Sequence, residues 1–153
     1  MAEILIVDSI DLDTATRTVW GEARGEPVEG WGAVAWVLRN RLEWPGGPFW
    51  WSRHPAGGVR PNSIAAVCRQ PFQFSCWNSN DPNCPKLKAL SIADPTYLRI
   101  HELVEQVMNG EINDPTGHAS HYEMVGTGAA WGRNRAVSKL IGHHAFYSIG
   151  PSA

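Results

Sequence analysis

The stretch Trp20-Gly21-Glu22-Ala23-Arg24-Gly25-Glu26-Pro27 decides how this chain is read. It sets two carboxylates, at positions 22 and 26, beside a tryptophan, an arginine and two glycines. In a helix, residues i and i+4 share a face, so unbroken helical structure would stack Glu22 and Glu26 one turn apart. Like charges at that spacing repel and call for compensation. A carboxyl group in a partly apolar pocket keeps its proton near neutral pH and can hand it to a leaving group. Trp20 and Trp36 are candidates for the apolar wall. The competing structural reading leaves both glutamates on a solvated helix face with Arg24 nearby.

Outward from this stretch the pattern is mostly helical. Asp11 or Asp13 can cap a helix reaching residue 25, and Pro27 suits the first turn of the next. Trp31, Val34, Ala35 and Leu38 form the stripe of an amphipathic helix over residues 28–44, ended by Pro45-Gly46-Gly47-Pro48. Residues 49–60 read as an irregular loop, and Asn62 as the cap of a short helix over 63–69. Gln73-Phe74-Ser75-Cys76-Trp77 alternates polar and apolar, as an extended edge does. A helical turn is expected within 86–93. Asp94-Pro95 then opens a helix through Met108, with Leu98, His101, Leu103, Val104 and Val107 facing inward and Gly110 closing it. The glycine-rich remainder carries short β-like runs such as His144-Ala145-Phe146-Tyr147. The sum is one mainly helical α+β domain over residues 1–153, with a small sheet.

Composition narrows the function classes. A hydrophobic fraction of 43% and a charged fraction of 18% belong to an ordinary globule rather than a disordered chain. Net charge is −2 and no basic stripe is visible, so nucleic acid is not an expected partner. No stretch approaches the ~20 apolar residues of a membrane span, so no membrane insertion is expected. Residues 1–8 lack the features of a secretory signal, and a cytoplasmic monomer is expected. Three cysteines, Cys68, Cys76 and Cys84, allow at most one disulfide, match no zinc spacing and are expected reduced. Eight tryptophans are many for 153 residues. Trp20, Trp31 and Trp36 sit in helical patterns and read as core, whereas Trp50, Trp51, Trp77 and Trp131 sit in loop-like stretches.

Three blocks carry a resemblance. The first runs from Trp20 through Pro27 into the apolar helix ending in Asn40-Arg41. The second is Ile64-Ala65-Ala66-Val67-Cys68 followed by Gln73-Phe74-Ser75-Cys76-Trp77. The third is His121-Tyr122, then Ile141-Gly142 and His144-Ala145-Phe146-Tyr147. Together they resemble the cell-wall hydrolase family typified by the spore-cortex-lytic enzyme SleB. The segment 117–135 matches only at His121-Tyr122 and loosely at Trp131. The resemblance implies a lysozyme-like arrangement, with a cleft between helical core and short strands. It also implies cleavage of the peptidoglycan glycan strand without a cofactor, with Glu22 as general acid. A member without an export signal would suit a phage endolysin held in the host cytoplasm until lysis.

Glycosidic cleavage needs a proton donor at the leaving oxygen and stabilisation of positive charge at the anomeric carbon. Glu26 is too close in sequence to Glu22 to face it across a sugar ring, and is read as lining or tuning the site, paired with Arg24 or Arg39. Glu123 and Asp81 lie in no strong motif. With no convincing second acid, a lytic transglycosylase reaction is favoured, and muramidase hydrolysis stays open. Gln73, Phe74 and Ser75 are the expected substrate contacts, with His121 and Tyr122 also nominated. The rival reading is a zinc-dependent N-acetylmuramoyl-L-alanine amidase using His118, His121, His143 and His144 with Glu123, although the His118-x-x-His121 spacing is not the H-E-x-x-H signature. A non-catalytic glycan-binding module would explain the tryptophans but not Glu22.

Overall fold

The computed structural model describes residues 2–45 and 50–151. Among them are five α-helices: α1 (Ser9–Ala23), α2 (Val28–Leu42), α3 (Ile64–Arg69), α4 (Asn83–Ala89) and α5 (Pro95–Met108). Three short strands, β1 (His121–Met124), β2 (Lys139–Ile141) and β3 (His144–Tyr147), form an antiparallel sheet in the order β1-β3-β2. The fold is α+β and mainly helical, as expected.

Cap chemistry explains where α1 begins. Asp8, not Asp11 or Asp13, is the N-cap, and it forms a reciprocal box with Asp11: each side chain accepts the other's backbone N–H. The second oxygen of Asp11 accepts from Ala65 N–H at 2.9 Å, which ties α1 to the start of α3. The helix stops at Ala23 rather than at 25, and α2 stops at Leu42 rather than 44. Ser63, one residue later than expected, caps α3 by accepting from Ala66 N–H. For α5 the cap is Asp94, as the Asp-Pro pair predicts, but the buried set is Tyr97, Ile100, Val104, Val107 and Met108. Leu98 is 53% exposed, so the inward face is rotated from the expected one.

Residues 73–77 are not a strand. They form a turn and a 3-10 helix, Ser75–Trp77. Gly21 explains how closely this turn approaches α1: a β-carbon there would lie 2.7 Å from Cys76 Cβ. The main core gathers Val19, Val34, Leu38, Val67, Leu87, Ile100 and Val104 between the helices. A smaller one joins Ala33 and Val37 of α2 to Ile141 and Phe146 of the sheet. Arg39 is buried under α5, where its guanidinium donates to the carbonyls of Val107 and Met108. A cation suits that negative end of a helix. The stop expected from Pro45 onward lies partly outside the described residues, as does the start of the 49–60 loop.

Candidate active site

Glu22 sits in the last turn of α1 and opens into a cavity of about 660 Å³. The cavity runs between α1, the 70–75 turn and the face of β1. Of the residues nominated from sequence, Glu22, Gln73, Phe74, Ser75, His121 and Tyr122 all line it; Glu26 does not. The reason is backbone geometry. With α1 ended at Ala23, Glu26 lies on the connection to α2 and shares no face with Glu22.

Glu26 is instead captured by the sheet. Its Oε1 accepts the His143 backbone N–H at 2.7 Å, its Oε2 lies 2.7 Å from His143 Nδ1, and His144 Nδ1 is 3.4 Å from Oε1. Burial pushes its carboxyl up, but the two hydrogen bonds from His143 and the nearby histidine rings outweigh that and hold it below its ordinary value of 4.5. Gly142, at φ 58°, makes the approach possible, since a β-carbon there would meet Glu26 Oε1 at 2.8 Å. The expected partners are engaged elsewhere. Arg24 stacks on Trp20 and donates to Asn83, while Arg39 pairs with Glu43.

The environment of Glu22 is that of an acid. Burial, reinforced by the neighbouring Asp81 carboxylate, pushes it from 4.5 up to about 7. The N–H groups of Cys76 and Ser75 and the Arg41 guanidinium pull the other way and lose. The apolar wall comes not from Trp20 and Trp36 but from Trp51, Phe74 and Tyr122. Trp36 is a core residue whose Nε1 donates to Ile112. Glu22 is the one carboxylate among the described residues lining the cavity.

The floor is organised by Arg41, in the last turn of α2. Its guanidinium lies 5.1 Å from both the Trp51 and the Phe74 ring centroids, donates through Nε to Ser120 O at 2.7 Å and through Nη1 to Gln73 Oε1 at 3.0 Å. A signal existed: Val34, Leu38 and Arg41 continue one buried stripe at helical spacing, so position 41 had to face inward. Arg41 holds Gln73 through Oε1, and the Gln73 NH₂ group can donate to a ligand. The Tyr122 hydroxyl is buried without a hydrogen-bond partner among the described residues. Burial followed by Arg41 lowers His121 to about 4, so its ring is neutral at physiological pH, and it packs between Trp51 and Trp131. Trp50, Gln70, Phe72, Met124, Trp131 and His144 complete the lining.

The histidines proposed for zinc are dispersed. His118 stacks on Trp44, His121 lines the cavity, and His143 and His144 meet Glu26. Glu123 accepts from Ala129 N–H instead. Among the described residues no three His, Cys, Asp or Glu side chains are arranged to hold a metal ion. The three cysteines are buried and free.

Known proteins share this fold. The spore cortex-lytic enzyme of Bacillus subtilis (strain 168) is 31% identical over 142 residues, which cover 89% of this chain and 37% of that protein. The Bacillus cereus enzyme of the same name is 29% identical over 140 residues, covering 89% and 43% respectively. The chain therefore spans less than half the length of these curated relatives. The crystal structure of the catalytic domain of Bacillus cereus SleB superposes with a TM-score of 0.66 at 27% identity, covering 93% of this chain and 92% of that one. The catalytic domain of the germination-specific lytic transglycosylase SleB from Bacillus anthracis gives 0.64 at 28%, covering 92% and 95%. The cell wall hydrolase family matches residues 25–147. The chain belongs to the cell wall hydrolase family.

Proposed function

We propose that this chain cleaves the β-1,4 bond between N-acetylmuramic acid and N-acetylglucosamine in bacterial peptidoglycan, as a lytic transglycosylase with Glu22 as its catalytic residue. The observation that carries this reading is a carboxyl raised to about 7 inside a large cavity, with no second carboxylate among the described lining residues. The family match begins at Gly25, so the role of Glu22 rests on that environment rather than on the match.

A carboxyl with this pKa is protonated often enough near neutrality to act as an acid, and is a useful base once it has given up its proton. In the first step Glu22 donates to the glycosidic oxygen as the C1–O bond breaks. The released carboxylate then takes the proton of the muramic acid C6 hydroxyl, whose oxygen closes on C1 to give a 1,6-anhydro end. One carboxylate serves both steps, whereas ordinary inverting or retaining hydrolysis places two across the scissile bond. The Gln73 NH₂ and the Ser75 hydroxyl are the donors available to N-acetyl groups, and Trp51, Phe74, Tyr122 and Trp131 supply apolar lining. The naming of the Bacillus anthracis neighbour as a lytic transglycosylase supports the same choice.

Mass spectrometry of a peptidoglycan digest is the test. The proposal requires anhydro-muramic termini. Reducing muramic acid would make the chain a muramidase, and a freed stem peptide an amidase. The lysis setting is part of the proposal: expression in a bacterial cytoplasm should lyse cells only once the inner membrane is permeabilised.

A further inference from the structure

Phe72 occupies a position that neither packing nor turn chemistry explains. Residues 70–73 form a turn closed by Gln73 N–H donating to Gln70 O at 3.2 Å, with Pro71 second and Phe72 third. Phe72 has φ 64°. Proline followed by a residue of positive φ is the pattern of a type II turn, whose third position favours glycine because a side chain there is strained. The chain places a phenylalanine there and leaves it 86% exposed. A bulky residue in this backbone region points to a demand outside the folding of the turn itself.

The location supplies that demand. Phe72 lines the same cavity as Glu22, and so do Trp50 and Met124, which are 44% and 50% exposed. Deeper in, Trp51 and Phe74 are 5% and 3% exposed and held by Arg41. The inner wall is therefore packed, while the outer part of the cavity carries large apolar side chains that still face water. Such surface in a cleft is available to a ligand with apolar faces, and rigid aromatic rings give contact area at little conformational entropy. A polymeric glycan offers those faces on its sugar rings and must run out of the cavity in which one bond is cut.

We propose that Phe72, with Trp50 and Met124, is an outer platform that holds sugar rings of the glycan strand away from the scissile bond, so that it sets affinity for long strands rather than the rate of bond breaking. This deepens the proposed function and rests on it. Phe72→Gly is a discriminating variant, because glycine relieves the backbone strain while removing the ring. In a Glu22→Gln background, which prevents turnover, binding to purified insoluble peptidoglycan should weaken roughly five- to tenfold on Phe72→Gly, with Tm unchanged or raised. Phe72→Tyr should bind as the parent does. With Glu22 intact, Phe72→Gly should raise KM on peptidoglycan and leave kcat within about twofold. Unchanged binding together with a raised Tm would overturn the proposal. So would an altered sedimentation coefficient without a binding change, which would assign the ring to contact between copies. A Glu22→Gln protein that still cleaves would instead sink the catalytic reading, whatever the Phe72 result.

Discussion

Glu22 is strained electrostatically as well as poised chemically, and Glu22→Gln should reveal this as stability. Lifting a carboxyl from 4.5 to about 7 corresponds to roughly 3 kcal/mol of difference between its protonated and ionised forms in the folded chain. The folded state holds the proton more tightly than the unfolded one. The stabilisation from proton binding is therefore fully present below pH 4.5 and is lost as pH rises through about 7. Glutamine does not titrate. Groups that do not interact with Glu22 contribute equally to both proteins, so subtracting their urea-unfolding free energies at each pH leaves this carboxyl together with its coupling to Asp81 and Arg41. Native protein should lose about 2–3 kcal/mol relative to Glu22→Gln between pH 4.5 and 8, with the change centred between 4.5 and 7. A pH-independent difference over that range would refute the claim that Glu22 is a desolvated acid, whatever its role in cleavage.

Three further outcomes follow from the same geometry. The rate of peptidoglycan cleavage should fall on the alkaline side above pH about 7, and Asp81→Asn, which removes a charge raising Glu22, should move that limb to lower pH; a move to higher pH would contradict the assignment. Gly21→Ala forces a methyl group to within 2.7 Å of Cys76 Cβ, so it should destabilise by about 1–3 kcal/mol and reduce kcat by displacing the Ser75 and Cys76 N–H groups from Glu22; full activity would show that this turn does not position the acid. Glu26→Ala removes the two 2.7 Å contacts to His143 and should destabilise by about 2 kcal/mol at neutral pH. Because its folded carboxyl sits below 4.5, Glu26 stabilises above that pH and the contribution is lost as pH falls further, so the penalty of Glu26→Ala should shrink in urea melts towards pH 3.

Much of the site was legible because its residues sit in short, chemically odd stretches. Gln73 to Ser75 and His121-Tyr122 reach the cavity from elements separated in sequence, and Asp94-Pro95 announces α5 through cap chemistry alone. What stayed hidden was set by contacts over long separations. The spacing of Glu22 and Glu26 suggested a shared helix face, but His143 and Gly142 decide where Glu26 lies, and no periodicity near position 26 encodes that. The alternation over residues 73–77 was too short to separate strand from turn. Its conformation follows from the close approach of Gly21 to Cys76, a tertiary fact. Arg41 and Phe72 were readable in principle, one as a cation on a buried stripe, the other as a bulky residue following Pro71 in a turn.

The most direct measurement is cleavage by Glu22→Gln with wall binding followed in parallel. The amide preserves shape and removes the transferable proton, so release of soluble glycan fragments should fall by a factor on the order of 100 to 10,000, while the protein still sediments with purified peptidoglycan. Glycan release at the native rate would show that the proton comes from another group.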